Sequence, residues 1–187
     1  MVNMSNFEIK VFDNVFDDKT SKKIWEYMQA PKWSYTGGSA TGGRFWHMEK
    51  LDEIEFFKFD LYNKICNDFL KEKPSNFSIK RCYANGQTAN QNGTAHSDDD
   101  IPNTYTFLYY PNPEWDLRWN GALFFLNHIG NGPPKNTEII KTVSYQPNRA
   151  VFFSSNICHF AEAPSNRFAG LRVSVAWKLS KSLNIKA

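Results

Sequence analysis

Cysteine is scarce in this chain of 187 residues: three are present, Cys66, Cys82 and Cys158, an odd number without the close spacing of a zinc site. That excludes a disulfide framework and a zinc ribbon, and lone thiols suit a reducing, cytoplasmic setting. An excess of one charge is also missing. Lys and Arg number 22 against 19 Asp and Glu, and the two signs are interspersed. There is therefore no polybasic tail and no basic stripe of the kind that binds nucleic acid. No apolar run approaches the ~18 residues of a membrane-spanning helix, and mean hydropathy is −0.55. The opening Met-Val-Asn-Met-Ser-Asn lacks the charged and apolar regions of a secretion signal. Aromatic residues are plentiful, at 16%, and the length suits one domain with a sizeable core.

The first third reads as mixed. Residues 7–15 alternate loosely as a strand would. Asp17, Asp18 and Thr20 offer capping oxygens ahead of a helix that runs to about Met28, with Ile24, Trp25 and Met28 on one side and Pro31 beyond its end. Residues 33–46 carry two glycine pairs between aromatic margins, which predicts a loop. Its segment Gly37 to Gly43 is a candidate lid, with Trp33, Tyr35, Arg44 and Trp46 as candidate substrate contacts. From Leu51 onward, Ile54, Phe57, Leu61, Ile65 and Phe69 recur at steps of three and four, the stripe of an amphipathic helix. After Pro74 come short runs rich in β-branched and aromatic residues, at 77–83, 104–110, 121–126, 138–145, 149–155 and 171–179, separated by turn formers such as Asn85-Gly86 and Asn92-Gly93. Many short strands with regular turns predict an antiparallel sandwich or barrel. The expected fold is mainly β with N-terminal helices (α+β). A helical front end over about 1–75 packs on a jelly-roll core, a double-stranded β-helix, over about 76–180, all in one domain.

Only four histidines are available: His47, His96, His128 and His159. His96 and Asp98 are two residues apart, a spacing that in a strand points both side chains to one face. His159 follows a strand of the same barrel. Two histidines and a carboxylate on one face of a metal ion form the facial triad of non-haem Fe(II) oxygenases, which leaves positions open for co-substrate and dioxygen. The doublet alone is a weak signal, because Asp99 and Asp100 follow it and an acidic turn with an incidental histidine reads the same way. The last strand adds a second signal. In Leu171 to Leu179 the odd positions are all apolar, and the even ones are Arg172, Ser174, Ala176 and Lys178. With the apolar face against the helices, Arg172 and Ser174 point to the barrel interior. A buried guanidinium needs an anion, and its planar fork suits a carboxylate. The alternative is an outward arginine paired on the surface.

From Cys82 to Leu179 the sequence resembles the 2-oxoglutarate/Fe(II)-dependent oxygenases of the prolyl 4-hydroxylase type, nearest to the hypoxia-sensing prolyl hydroxylases. The matching pieces fall in the family's order: Cys82 and Tyr83, Gly93 and Thr94, His96-x-Asp98, Thr106 with Tyr109, Tyr110 and Asn112, then Trp115, Asn120, Gly121, Leu123 and Phe125. Pro147, Arg149, Phe152, Phe153 and Ser154 precede His159, and Arg172 opens the final strand. The resemblance implies that His96, Asp98 and His159 hold Fe(II). It gives Arg172 the distal carboxylate of 2-oxoglutarate, helped by Tyr110, with Tyr83, Thr106 and Ser174 in the same co-substrate pocket. Core packing is the other use open to the two tyrosines. Two intervals depart from the pattern: three extra residues stand between Tyr83 and His96, and Arg172 follows His159 at a longer distance than usual. Arg167 is nearer but sits in a loop-like stretch, whereas Arg172 lies in a strand with an Arg-x-Ser pattern.

The implied activity is hydroxylation of a C–H bond, with 2-oxoglutarate and O2 as co-substrates, succinate and CO2 as products, and ascorbate as an optional reductant. The implied substrate is a proline-containing peptide or protein, with free amino acids and small metabolites as alternatives and no membrane or nucleic-acid partner. Two rivals are a non-catalytic jelly-roll binding module and a cupin-like metalloenzyme that recruits His128. Otherwise His47 and His128 read as non-ligands.

Overall fold

A computed structural model describes residues 8–38, 44–130 and 136–182. Its strands are β1 (Ile9–Phe12), β2 (Ser34–Gly38), β3 (Arg44–Met48), β4 (Phe77–Gln87), β5 (Thr104–Tyr109), β6 (Leu123–Ile129), β7 (Ile139–Val143), β8 (Ala150–Ser154), β9 (Ile157–Ala161) and β10 (Arg172–Lys181). They form two antiparallel sheets, one ordered β1-β8-β5-β10-β4-β3-β2 and the other β7-β6-β9. Sequence neighbours are often split between sheets. Ser155 and Asn156, for example, carry the chain from β8 in the larger sheet to β9 in the smaller one.

The larger sheet has two apolar faces because two layers cover it. On the outer side, Val173, Val175, Trp177 and Leu179 of β10 join Ile24 and Met28 of helix α1 (Asp18–Met28) in one core, with Phe57, Leu61 and Ile65 from the second helical segment. That segment takes π-type turns at Phe56–Leu61 and Ile65–Leu70 around an α-helical Tyr62–Lys64. Its apolar stripe is why it lies flat on the sheet. Asp17 caps α1 by accepting from the Thr20 amide at 2.9 Å, which satisfies an amide that the helix itself cannot. Between the sheets lies a second core of Tyr110, Leu123, Phe125, Val143, Tyr145, Val151, Phe153 and Ile157.

Two expectations need correction. The front third is less helical than expected: besides β1, which the alternation of residues 7–15 anticipated, β2 and β3 come from it, and all three belong to the larger sheet. Residues 33–46 are not a plain loop, because β2 and β3 form a hairpin whose Trp46, His47 and Met48 pair with Gly86, Asn85 and Ala84. The reason is the edge of β4, whose backbone groups would otherwise go unpaired. A glycine-based reading considers only local freedom and does not see that edge. Of the candidate lid, Gly37 and Gly38 belong to β2, and residues 39–43 lie outside the described residues. His159 follows β8 as expected and sits within the next strand, β9.

Trp177 is fully buried, and its indole N–H donates to the Phe57 carbonyl at 3.2 Å, joining β10 to the second helical segment. Trp177→Ala should cost about 3–5 kcal/mol of unfolding free energy, read from urea denaturation. A loss below about 1 kcal/mol would show that the helical layer contributes little to the sheet.

Candidate metal centre

His96 and Asp98 do not sit in a sheet strand, as the spacing alone suggested. They lie on an extended connection that meets β9 through one bridge. The His96 amide donates to the His159 carbonyl at 3.0 Å, and the His159 amide returns the bond to His96 at 2.9 Å. Upstream, Gly93 donates to Ala161 at 2.8 Å. A side chain at Gly93 would crowd the Ala161 backbone, with contacts from 3.1 Å, so glycine suits this approach. Downstream, the Asp98 amide donates to Ser155 at 2.8 Å. The connection is thus laced to the β8–β9 turn, and the two imidazole rings stand 4.7 Å apart.

The side-chain bonds prepare both rings as ligands. Nδ1 of His96 lies 2.8 Å from the Thr94 carbonyl, and Nδ1 of His159 lies 2.8 Å from the Ile157 carbonyl. A carbonyl accepts only, so each Nδ1 carries a proton and each Nε2 is the nitrogen turned to the site. Burial would lower the His96 pKa, but the neighbouring Asp98 carboxylate more than reverses this. One donor atom each from His96, Asp98 and His159 lies within 4.8 Å of the others. Burial drives the His159 pKa down to about 4 despite the opposing pull of Asp98, so the imidazole is neutral, as a metal ligand must be. Burial would raise Asp98, but Lys178, His159 and His96 more than reverse this and hold it well below the usual carboxylate range. A buried, ionised carboxylate beside two open imidazole nitrogens is the donor set for a divalent ion of the Fe(II) class.

Lys178 was not anticipated in this role. It is buried, and its ammonium contacts Asp98 Oδ2 while donating to Thr106 Oγ1 at 2.9 Å. Thr106 in turn donates to Asp98 Oδ2 at 2.6 Å. Thr106 is therefore a partner of the Asp98 carboxylate, and it also lines the cavity in which the co-substrate pocket was expected. The signal for Lys178 was present in the sequence: the alternation that turns Arg172 inward also turns in Ala176 and Lys178.

A cavity of about 450 Å³ runs from this centre to the start of β10. Along it Arg172, Ser174, Ala176 and Lys178 of β10 face Gln87, Asn85, Tyr83 and Arg81 of β4 in register. Arg172 is 1% exposed. Its Nε donates to the Gly121 carbonyl at 3.0 Å and its Nη1 to Gln87 Oε1 at 2.8 Å. Nη2 has no partner among the described residues, and neither has the buried Tyr110 hydroxyl. The Tyr110 and Tyr145 rings flank the guanidinium at 5.5 and 5.0 Å. Burial raises the Tyr110 pKa against the lowering effect of Arg172, so the phenol remains a neutral donor. Two orphaned buried donors are costly, and a ligand carboxylate satisfies both. Fe(II) and 2-oxoglutarate fit the residues present.

The other assignments divide. Tyr83 and Ser174 line the cavity, with the Arg81 guanidinium 4.7 Å over the Tyr83 ring. Arg167 is exposed on a loop, and Arg172 is the buried arginine. None of the candidate substrate contacts Trp33, Tyr35, Arg44 and Trp46 lines this cavity. Thr36, Phe45 and His47 line the cavity, whereas Tyr35 packs against Trp46 at 5.3 Å on the other side. Arg44 is exposed beside it, and Trp33 is tied to Met28 by its indole N–H at 2.8 Å. A shift of one residue exchanges the faces of a strand. His47 bonds to Asn85 at 2.7 Å, and the ligand cluster includes neither it nor His128.

No family model matches the chain, and no curated protein sequence does. Solved structures do match. The non-haem α-ketoglutarate-dependent epimerase SnoN from nogalamycin biosynthesis aligns with a TM-score of 0.66 at 10% identity, over 95% of this chain and 80% of its own. The fold is that of the non-haem 2-oxoglutarate-dependent enzymes. HygX from Streptomyces hygroscopicus, solved with nickel and 2-oxoglutarate, aligns at 0.65 and 8% identity over 96% of this chain and 85% of its own. EvdO2 from Micromonospora carbonacea var. aurantiaca, complexed with 2-oxoglutarate, aligns at 0.62 and 10% identity over 98% and 90%. None of these three is described as a prolyl hydroxylase, so the 2-oxoglutarate-enzyme fold is common ground and the prolyl type finds no support here. No helix among the described residues is long and apolar enough to cross a membrane.

His159→Ala should weaken binding of one equivalent of Co(II) by more than the roughly 10–100-fold that loss of an outer-shell partner costs. Titration of the cobalt visible absorption measures this. Unchanged binding would remove His159 from the ligand set.

Proposed function

We propose that the protein is an Fe(II)- and 2-oxoglutarate-dependent oxygenase that hydroxylates a C–H bond of a small anionic molecule. The observation that carries the oxygenase reading is the pairing, in one cavity, of a His-Asp-His donor set with a buried arginine whose Nη2 is unpartnered. When bound, iron supplies the oxidising chemistry, driven by decarboxylation of 2-oxoglutarate to succinate and CO2. The chain's own residues bind and orient. Arg172, braced by Gln87 and the Gly121 carbonyl, holds the distal carboxylate and so fixes which way the co-substrate lies.

The substrate reading rests on the cavity wall at the metal end, where β4 faces β10. Arg81 faces Lys178 directly in register, and like charges so placed repel. Lys178 is neutralised by Asp98. Arg81 has no acidic partner among the described residues and rests on the Tyr83 ring. Arg81 is exposed and lines the cavity, so it is available to a carboxylate or phosphate on the substrate. SnoN and HygX have been solved with nogalamycin RO and hygromycin B, respectively, so this fold accommodates small molecules. A prolyl peptide remains the competing substrate class.

Purified protein should form succinate only with both Fe(II) and 2-oxoglutarate present, and Arg172→Leu should raise the KM for 2-oxoglutarate by about a hundredfold, the loss of a buried charge-assisted hydrogen bond. Succinate formation independent of the protein's iron, or an unchanged KM, would refute the assignment. Mass spectrometry of a panel containing carboxylated and phosphorylated metabolites alongside proline peptides then identifies the class that gains one oxygen atom. Oxygen gained only by the peptides would overturn the anionic small-molecule reading.

A further inference from the structure

Oδ2 of Asp98 is fully engaged before any metal arrives. A carboxylate oxygen has two lone pairs. One accepts from the Thr106 hydroxyl at 2.6 Å and the other faces the Lys178 ammonium. The two donors are also joined, since Lys178 Nζ donates to Thr106 Oγ1 at 2.9 Å and Ser155 Oγ lies 3.3 Å from that hydroxyl. Both donors are rigidly held: Thr106 is 1% exposed in β5, and Lys178 is 7% exposed in β10 and lies opposite Thr106 in register. Both oxygens lie toward the ligand nitrogens, Oδ1 at 3.5 Å from the Nε2 of His96 and Oδ2 at 3.7 Å from the Nε2 of His159, but the Thr106 and Lys178 donors fall on Oδ2 alone. The lone pairs of Oδ2 are thus occupied by Thr106 and Lys178, whereas neither residue touches Oδ1.

We infer that Lys178 and Thr106 act as positioning residues that restrict Asp98 to one-oxygen ligation and thereby keep a metal position open. This rests on the iron and 2-oxoglutarate reading above. Three protein ligands leave an octahedral ion three positions. The co-substrate chelates through two, its keto and adjacent carboxylate oxygens, and dioxygen needs the third. Were Asp98 to bind through both oxygens, that third position would be lost. Lys178 touches neither the metal nor the co-substrate on this account. Its positive charge also opposes the incoming cation, so the arrangement gives up metal affinity to keep the position free.

The test separates this role from a structural one by the sign of its effect. Wild-type protein, Lys178→Met, Lys178→Arg and Thr106→Val are loaded anaerobically with Fe(II) and 2-oxoglutarate, after circular dichroism has confirmed folding. The visible charge-transfer band of the wild-type complex comes first: its absence refutes the iron and 2-oxoglutarate reading itself. Given the band, nitric oxide is added as a probe of the open position, and its EPR signal is integrated. Co(II) affinity is measured in parallel. Removal of the ammonium in Lys178→Met should tighten Co(II) binding by at least about tenfold, because a nearby positive charge is gone, and should cut the nitrosyl signal to less than half. Thr106→Val should lower the nitrosyl signal with little change in affinity, and Lys178→Arg should restore both values toward wild type. A merely structural lysine would instead weaken metal binding and leave the nitrosyl signal proportional to bound iron. That result overturns the inference, as does a full nitrosyl signal in Thr106→Val should Lys178→Met fail to fold.

Discussion

β10 lies near the middle of the larger sheet with a different medium on each face, and the rest of the molecule is arranged around that difference. Its odd residues are apolar and join the core beneath the helices, where each well-buried side chain contributes on the order of 1.5–3 kcal/mol. Its even residues carry two buried charges, Arg172 and Lys178. Burying a cation without a partner costs several kcal/mol, so the strand is tolerable only where oxygen acceptors meet those charges. Asp98 and Thr106 meet Lys178, and Gln87 and the Gly121 carbonyl meet Arg172. The apolar face fixes the strand's orientation, and the orientation obliges the opposite wall to supply these partners.

The two ends of the cavity answer that demand differently. At the metal end Lys178 has two acceptors, and the ligand carboxylate is neutralised as well as held. At the co-substrate end the satisfaction stops one bond short, leaving Arg172 Nη2 and the Tyr110 hydroxyl unpartnered. Incomplete satisfaction of a buried donor is unfavourable for folding and favourable for binding, because a ligand carboxylate recovers what the fold left out. The tyrosine rings around the guanidinium exclude water and strengthen the pairing.

Connections do as much as sheets in building the metal centre. His96 and Asp98 sit outside the named strands, and their placement depends on backbone bonds to β9 and to the β8–β9 turn. This arrangement brings residues about sixty apart in sequence to adjacent positions without requiring a regular strand at the first of them. It also leaves local sequence free to vary, which is consistent with a shared fold at 8–10% identity to SnoN, HygX and EvdO2.

The period-two pattern of residues 171–179 and the stripe from Leu51 to Phe69 determined which faces are buried, because alternation and helical spacing are local properties of the chain. The same local rule made Arg172 an inward residue, and it applied equally to Lys178. What local rules could not supply was the partner of each group. The hairpin of β2 and β3 exists because β4 presents an open edge, which no feature of residues 33–46 announces. Its cavity face is set by pairing Trp46 with Gly86, so Thr36, Phe45 and His47 line the wall where Tyr35, Arg44 and Trp46 had been expected. Thr106 likewise belongs with Asp98 only because β5 lies beside β10. Sequence determined the chemistry carried by each side chain and the face it occupies. Tertiary structure decided which groups meet, since contact depends on strand order and register across distant segments.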